Sequence, residues 1–201
     1  MKPIEQIMRT SPVIPVLVIE DASKAAPLAE ALVKGGLKVL EVTMRTPAAL
    51  DAIREMKQVP GAIVGAGTVV NTNQFEAVAK LGAEFIVSPG LTDRLGKAIV
   101  DAGIPYLPGT ASASDIMRGL DLGLEHFKFF PAETSGGIKA LKALAAPFYQ
   151  AQFCPTGGIT AATAPDWLAV GPVLCVGGSW VTGGTLEEVE ARAREAAGLA
   201  G

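Results

Sequence analysis

Short apolar runs rich in β-branched and aromatic residues recur along this chain at intervals of about 20 to 25 residues. Each run is followed by a segment rich in alanine and leucine, and in the first of these Leu28, Leu32 and Val33 fall on one stripe of a helix. Strands that alternate with helices along a chain form a parallel sheet. Eight runs are present, and they begin near Val13, Lys38, Ala62, Glu84, Ile104, His126, Gln152 and Val173.

Eight strand–helix units predict an α/β fold of the closed kind, the (β/α)8 or TIM barrel, with residues 1–201 as one domain. The chain length of 201 residues lies at the lower limit of that fold. An open doubly wound sheet is the alternative, but the GxGxxG turn that usually follows its first strand is missing. Gly65-Ala66-Gly67 belongs to the third run instead and lacks the last glycine of that turn.

Both ends of the chain carry helix signals outside the repeat. A short N-terminal helix that covers the lower mouth of the barrel is predicted by Pro3, Ile4, Ile7 and Met8. Near the other end, Thr185 is followed three residues later by Glu188, which is the pattern of a capping box and predicts the start of the last helix.

The balance of charge argues against several classes of partner. Charged residues make up 18% of the chain, below the usual quarter, and hydrophobic residues make up 49%, so much surface is buried in the fold or in a subunit interface. The formal net charge is −3, and no run of lysine or arginine occurs. Nucleic acid and anionic membrane surfaces are therefore poor candidates as partners.

Cysteine usage and the absence of a plausible membrane helix indicate a cytoplasmic protein. Cys154 and Cys175 have no CxxC spacing, and no secretory signal precedes them, so a reduced compartment fits best. The twenty residues from Trp167 to Leu186 carry no charge, but their glycines, their proline and their hydroxyl residues do not suit a membrane helix.

Lys128 is a charged residue in a run that is otherwise typical of a buried strand. It stands within His126-Phe127-Lys128-Phe129-Phe130, and because side chains alternate along a strand, Lys128 points into the barrel if the flanking phenylalanines pack under helices. A buried ammonium costs several kcal/mol unless it is paired or loses its proton. The neutral amine is the form that attacks a carbonyl to make a Schiff base. The alternative is a lysine whose stem is packed and whose head reaches solvent.

Glu41 and Arg45 are further polar candidates near the end of the second strand. Glu41 shares a strand face with Val39 and Thr43, so it can lie near Lys128 inside the barrel and move protons, or it can form a simple buried ion pair. Arg45 follows in the loop, where its N–H groups can bind a substrate carboxylate; taken alone, a solvated loop arginine is the simpler reading.

Glycine pairs follow both of the last two strands, Gly157-Gly158 after the seventh and Gly177-Gly178-Ser179 after the eighth. Barrels commonly hold a phosphate on these two loops, where backbone N–H groups can approach the anion. Glycine pairs also make ordinary tight turns. The occurrence of glycines in both loops favours a phosphate site.

Other residues that end strands are weaker candidates, because each taken alone is more simply structural. The single histidine, His126, is interpreted as a packed residue, and one histidine without a paired carboxylate motif argues against a catalytic metal. The remaining candidates for the pocket lining are Thr68, Ser88, Pro89, Thr110 and Thr156.

Four motifs together resemble the family of 2-keto-3-deoxy-6-phosphogluconate (KDPG) and 4-hydroxy-2-oxoglutarate aldolases. The similarity runs in order over nearly the whole chain. The motifs are Glu41-Val42-Thr43-Met44-Arg45-Thr46-Pro47, Gly65-Ala66-Gly67-Thr68, Phe127-Lys128-Phe129-Phe130-Pro131-Ala132 and Pro155-Thr156-Gly157-Gly158-Ile159.

That resemblance implies a role for each matching residue. Lys128 matches the Schiff-base lysine and Glu41 the general acid and base. Arg45 and Thr68 match residues that contact the pyruvyl carboxylate. Thr156 matches a position where a hydroxyl group selects KDPG over its galactonate epimer. The phosphate-binding positions are matched by Gly157, Gly158 and Ser179, beside which Gly178 and Pro89 are further substrate-binding candidates.

The resemblance also implies an activity and an assembly. A class I aldolase of this kind cleaves KDPG reversibly to pyruvate and D-glyceraldehyde 3-phosphate, and also 4-hydroxy-2-oxoglutarate to pyruvate and glyoxylate, as a cytoplasmic homotrimer with no metal and no cofactor. Three alternatives stay open at this point: a main activity on the unphosphorylated substrate, a phosphosugar isomerase or synthase on the same barrel, and a non-catalytic assembly protein. An isomerase or synthase would not need a lysine in the sixth strand.

Overall fold

Eight parallel strands form one sheet, in the order β7-β6-β5-β4-β3-β2-β1-β8, in the computed structural model, which describes residues 1–199. Two isolated bridges, Phe153 with Val173 and Thr156 with Gly177, join β7 to β8 and bring the sheet round into the predicted (β/α)8 barrel. The strands are β1 Val13–Leu17, β2 Val39–Thr43, β3 Ile63–Gly67, β4 Ile86–Ser88, β5 Tyr106–Thr110, β6 His126–Phe129, β7 Gln152–Pro155 and β8 Val176–Gly178.

Helices alternate with the strands and cover the outside of the barrel. The predicted capping box at Thr185 and Glu188 is confirmed, since the threonine side chain accepts from the Glu188 backbone and the glutamate accepts from the Thr185 N–H. The helices are α1 Pro3–Thr10, α2 Ala25–Lys34, α3 Ala49–Met56, α4 Thr72–Lys80, α5 Asp93–Asp101, α6 Ala113–Asp121, α7 Gly137–Ala145, α8 Ala164–Leu168 and α9 Leu186–Ala197. Among residues 1–199, no helix is long and apolar enough to span a bilayer.

The last strand begins later than the sequence predicts. The eighth apolar run starts near Val173, but β8 starts at Val176. The reason lies in the turn that follows α8, where the Val173 N–H donates to the Val170 carbonyl oxygen at 2.8 Å. Val173 therefore makes one isolated bridge to Phe153 before regular pairing with β1 begins at Val176.

The strands of the barrel separate an outer apolar layer from an inner one. Phe127 and Phe129 of β6 pack outward beneath the helices, with the Phe127 ring centroid 6.0 Å from that of Phe153 and the Phe129 centroid 6.2 Å from that of Trp167. The N-terminal helix α1 closes the lower mouth as predicted, since its buried Ile4 and Met8 pack on the inner layer. That layer consists of Ile14, Val39, Phe85, Val87, Leu107, Cys154 and Cys175.

His126 lies at this lower mouth and is a packed residue, as predicted. It is 4% exposed, and neither ring nitrogen has a hydrogen-bond partner among residues 1–199, although Nε2 is 3.8 Å from Glu5 Oε2. Burial lowers the pKa of His126 below its usual 6.5, with smaller contributions from the charges of Glu5, Lys2, Glu125 and Arg9. The folded state therefore favours the neutral imidazole.

We expect this histidine to make stability fall as the pH drops below about 6.5, because the unfolded chain then binds a proton that the folded chain resists. The stabilisation is complete above the pKa of the unfolded chain and is lost as the pH falls toward the lowered folded value. Urea unfolding of the wild type and of His126→Gln at about pH 7.5 and about pH 5.5 measures this. The wild type should lose more stability than the variant on acidification, by at most about 1.4 kcal/mol per pH unit. Equal losses would contradict the assignment.

Candidate active site

A buried lysine and a buried glutamate face each other inside the barrel. Lys128 Nζ on β6 lies 3.1 Å from Glu41 Oε1 and 3.5 Å from Oε2 on β2, and the two residues are 4% and 3% exposed. The Lys128 amine also lies 5.3 Å from the centroid of the Phe130 ring. The alternative in which the Lys128 head reaches solvent is therefore wrong. A pair at this distance can exchange a proton directly.

Glycines on the neighbouring strand make room for the glutamate. Gly67 ends β3 and pairs in register with Thr43, and a Cβ atom at Gly67 would overlap the Glu41 carboxylate. A Cβ atom at Gly65, the register partner of Glu41, would likewise overlap the ring of Phe85. The motif Gly65-Ala66-Gly67-Thr68 by itself does not predict this role for Gly67. The sequence feature that points to this role is the position of Gly67, at the end of the strand next to the one that carries Glu41.

We expect Gly67→Ala to lower kcat by about 10- to 100-fold, because the added methyl group displaces the Glu41 carboxylate from Lys128. Gly171→Ala is a matched control, since no heavy atom lies within 4 Å of a Cβ built there and its backbone is not left-handed. Steady-state kinetics of both variants, with circular dichroism to verify folding, make the comparison. A Gly67→Ala enzyme with wild-type kcat would contradict the role.

The two residues predicted to bind a carboxylate are in contact. Arg45 Nε, in the loop after β2, donates to Thr68 Oγ1 at 3.2 Å, and the Met44 N–H donates to the Gly67 carbonyl oxygen at 2.7 Å. Thr68 has φ of 56°, a left-handed backbone that a β-branched residue rarely adopts and that typically costs about 1–3 kcal/mol. Strain of this kind is concentrated at functional sites. Arg45 is exposed, as a solvated loop arginine would be, and its bond to Thr68 places it beside the second residue predicted to bind the carboxylate.

Pro89 follows β4 in a loop that its neighbours hold in place. Ser88 Oγ donates to the Gly90 carbonyl oxygen at 2.6 Å and lies 2.6 Å from Tyr106 Oη, and a Cβ at Gly109 would overlap the Pro89 carbonyl. Burial raises the pKa of Tyr106 to about 12, so its hydroxyl stays protonated and can donate to Ser88. The candidate Ser88 therefore holds the loop rather than lining the pocket.

Thr110 is a second strand-end candidate that the structure places elsewhere. Its register partner is Phe129, which packs outward, and Thr110 Oγ1 donates to the Lys128 carbonyl oxygen at 3.4 Å. Because its side chain points outward and bonds to the backbone of β6, Thr110 stabilises the strand that carries Lys128 and does not line the pocket.

The glycine pair after β7 lies beside the end of β8. Gly177 and Gly178 are the last two residues of β8 and not, as predicted, part of the loop that follows it. Thr156 bridges to Gly177, where a Cβ would overlap the Thr156 hydroxyl, so the ends of β7 and β8 meet closely. Gly157 and Gly158 have φ of 106° and 82°, which glycine adopts without strain. Gly178 packs on the Trp180 ring, and a Cβ there would overlap it.

These candidates share one face of the barrel. In parallel strands the carboxyl ends meet at one mouth, and just beyond the carboxyl ends of their strands lie Thr68, Pro89, Thr156 and Ser179, whereas Glu41 lies two residues before the end of β2. Lys128 projects inward from β6 toward Glu41 below the same mouth. Across the described range 1–199, no three histidine, cysteine, aspartate or glutamate side chains are grouped as metal ligands would be.

Comparison with known proteins identifies relatives of this chain. Residues 4–194 match the family model for KDPG and KHG aldolases. A 2-dehydro-3-deoxy-phosphogluconate aldolase of Zymomonas mobilis is 60% identical over 90% of this chain and 87% of its own length. A KHG/KDPG aldolase of Escherichia coli K12 is 52% identical over 96% of this chain and 93% of its own.

A solved structure extends the similarity to three dimensions. The KDPG aldolase of Legionella pneumophila, in which pyruvate is captured at low pH as a covalent carbinolamine intermediate, superimposes with a TM-score of 0.94. It is 43% identical in sequence, and the match covers 98% of each chain.

Proposed function

Because this chain belongs to the KDPG and KHG aldolase family, we propose that it cleaves KDPG reversibly to pyruvate and D-glyceraldehyde 3-phosphate through a Schiff base on Lys128. The same site cleaves 4-hydroxy-2-oxoglutarate to pyruvate and glyoxylate. The observation that carries the proposal is the buried Lys128 amine, 3.1 Å from the Glu41 carboxylate at the C-terminal side of the barrel. Chemistry on an amine next to a proton acceptor requires no metal and no cofactor.

The first half of the reaction builds an electron sink. Glu41 holds the proton that leaves the Lys128 ammonium, and the neutral amine attacks the C2 ketone of the substrate to form a carbinolamine. Glu41 then returns a proton to the carbinolamine oxygen, which leaves as water, and a protonated imine remains on Lys128. The positive nitrogen of this imine accepts the electron pair of the bond that breaks next.

The second half breaks the C3–C4 bond. Glu41 takes the proton of the C4 hydroxyl group, the C4–O bond becomes a carbonyl, and the electrons of the C3–C4 bond move into the imine to give an enamine. The aldehyde product leaves. Protonation of the enamine at C3 and addition of water at C2 release pyruvate and restore the Lys128 amine. Both half-reactions use one acid–base group, which agrees with Glu41 as the single carboxylate within reach of Nζ among residues 1–199.

The loops that surround Lys128 and Glu41 bind the substrate. Arg45 and Thr68, which contact each other, bind the carboxylate next to the ketone, and Pro89 lines the same side. The Thr156 hydroxyl faces the sugar chain and selects its epimer. The phosphate lies against the backbone of the two glycine loops, at Gly157, Gly158, Gly178 and Ser179, where the absence of side chains on the glycines allows close approach.

Borohydride reduction in the presence of pyruvate, followed by peptide mass mapping, tests the proposal. Reduction converts the imine to a stable secondary amine, so the peptide that contains Lys128 should gain the mass of a reduced pyruvyl group. Lys139, an exposed lysine on α7, is an internal control and should stay unmodified. An adduct on a different lysine, or no adduct, would overturn the mechanism.

The preference between the two substrates depends on the phosphate loops. If Gly157, Gly158, Gly178 and Ser179 bind the phosphate, kcat/KM should be higher for KDPG than for 4-hydroxy-2-oxoglutarate, which has no phosphate. Comparison of kcat/KM for the two substrates measures this. A higher value for the unphosphorylated substrate would make its cleavage the main activity.

For assembly and location, the proposal is a homotrimer in the cytoplasm. The low charged fraction of 18% suits a chain that buries part of its surface between subunits, and the two cysteines are free and buried, as a reduced compartment allows. Size-exclusion chromatography with light scattering measures the mass. A monomer at micromolar concentration would contradict the trimer.

A further inference from the structure

A carboxylate outside the lysine–glutamate pair touches the candidate phosphate loop. Glu133 lies in the loop after β6, and among residues 1–199 it forms no ion pair with a lysine or arginine. Its Oε1 accepts a hydrogen bond from Trp167 Nε1 at 2.9 Å. Trp167 belongs to α8, is 1% exposed, and packs against Phe129 of β6. The indole N–H therefore has a fixed position from which it orients the Glu133 side chain.

The backbone around Glu133 is bonded to the loop after β7. The Ala132 N–H donates to the Thr156 carbonyl oxygen at 2.8 Å, and the Glu133 N–H donates to the Gly157 carbonyl oxygen at 3.1 Å. The side chain continues this contact, since its Cγ and Cβ lie 2.7 and 2.8 Å from the place where a Cβ on Gly158 would be. Glu133 thus fills the space on one side of the Gly157-Gly158 turn with both backbone and side chain.

We propose that Glu133, held by Trp167, is a positioning residue that sets the Gly157-Gly158 turn for the substrate phosphate. The inference rests on the proposed function, in which this turn binds the phosphate. Two consecutive glycines with positive φ have wide conformational freedom, and their N–H groups point at an anion only if something holds the turn. The contacts from Glu133 supply that restraint, and the buried indole N–H supplies a fixed anchor for it.

The negative charge of Glu133 cannot by itself favour phosphate binding, so a positioning role and an electrostatic role predict different effects of substitution. A carboxylate next to an anion site opposes the binding of phosphate through its charge, so its contribution to binding must come from its hydrogen bond and its packing. The side chain of glutamine has the same length, and its amide oxygen accepts the indole N–H without the charge. Glu133→Gln therefore keeps the side-chain part of the restraint, whereas Glu133→Ala removes that part and leaves only the backbone hydrogen bonds to the loop after β7.

Kinetics on both substrates test the inference. We expect Glu133→Ala to raise the KM for KDPG about tenfold or more, with KM and kcat for 4-hydroxy-2-oxoglutarate within about twofold of the wild type. Glu133→Gln should restore the KM for KDPG to the wild-type value or below it. Trp167→Phe keeps an aromatic ring against Phe129 but removes the indole N–H, and it should raise the KM for KDPG in the same direction as Glu133→Ala. Glu76→Ala, at an exposed carboxylate on α4, is the matched control.

The outcomes separate this inference from the proposed function. A wild-type enzyme that releases pyruvate from neither substrate overturns the proposed function, and the inference with it. An active wild type with an unchanged KM for KDPG in Glu133→Ala overturns the inference alone, as does an equal loss on both substrates, which indicates a general structural role. If Glu133→Ala does not fold, Trp167→Phe decides, and an unchanged KM for KDPG in that variant overturns the inference.

Discussion

Lys128→Met is expected to lower the rate of pyruvate release from both substrates by about 10⁴-fold or more, while the barrel stays folded. Methionine has a side chain of similar length and polarisable, apolar character, so it fills most of the space that the buried Lys128 side chain occupies. It has no amine, and without an amine neither the carbinolamine nor the imine can form.

Two further variants separate the chemical role of Lys128 from a structural one. Lys128→Arg keeps a positive charge beside Glu41, but a guanidinium stays protonated and forms no Schiff base, so this variant should be equally inactive. Lys139→Met removes an exposed lysine on α7 and should leave the activity unchanged. Coupled pyruvate assays and thermal unfolding measure both properties. An unfolded Lys128→Met together with an active Lys128→Arg would mean that the buried ion pair is structural.

Glu41→Gln should have the second largest effect, a fall in kcat of about 10²- to 10⁴-fold. The amide has nearly the same shape as the carboxylate, so the space next to Gly67 stays filled, but it cannot carry protons between Lys128 and the substrate. Because the proposed carboxylate-binding residues, Arg45 and Thr68, are unchanged in this variant, KM should change much less than kcat.

Pre-steady-state trapping shows which step depends on Glu41. Borohydride should still label Lys128 in Glu41→Gln in the presence of pyruvate, but more slowly than in the wild type, since formation of the imine also needs proton transfer. Glu76→Gln, at an exposed carboxylate, is the control for the loss of one negative charge. A Glu41→Gln enzyme with an unchanged kcat and a raised KM would assign Glu41 to substrate binding instead of proton transfer.

The sequence predicted the strands and the direction of Lys128 well, because both depend on local periodicity. Seven of the eight strands begin within two residues of the predicted positions, and β8 is the exception because a turn after α8 uses the Val173 N–H. The period of two along β6 is enough to turn Lys128 inward once Phe127 and Phe129 pack outward. The same alternation places Ser88 and Thr110 on the outer side of the sheet, where their hydroxyl groups bond, because Val87 and Leu107 point inward.

Contacts between residues on distant strands could not be predicted from local sequence patterns. Glu41 and Lys128 are 87 positions apart in the chain. The local sequence of neither strand predicts that Lys128 Nζ lies 3.1 Å from Glu41 Oε1. The roles of Gly67 and Glu133 are likewise visible only beside the partners that surround them, the Glu41 carboxylate for the first and Gly158 and Trp167 for the second.

The sequence by itself determined the order of strands and helices, the face of β6 on which the lysine lies, and the family to which its motifs are similar. These follow from short-range patterns that each segment carries alone. Only the tertiary structure decided which side chains meet, since that depends on how all eight strands tilt and pair as the sheet closes. Closure brings β2 opposite β6 and joins the loops of β6, β7 and β8, and the candidate site exists only where those segments converge.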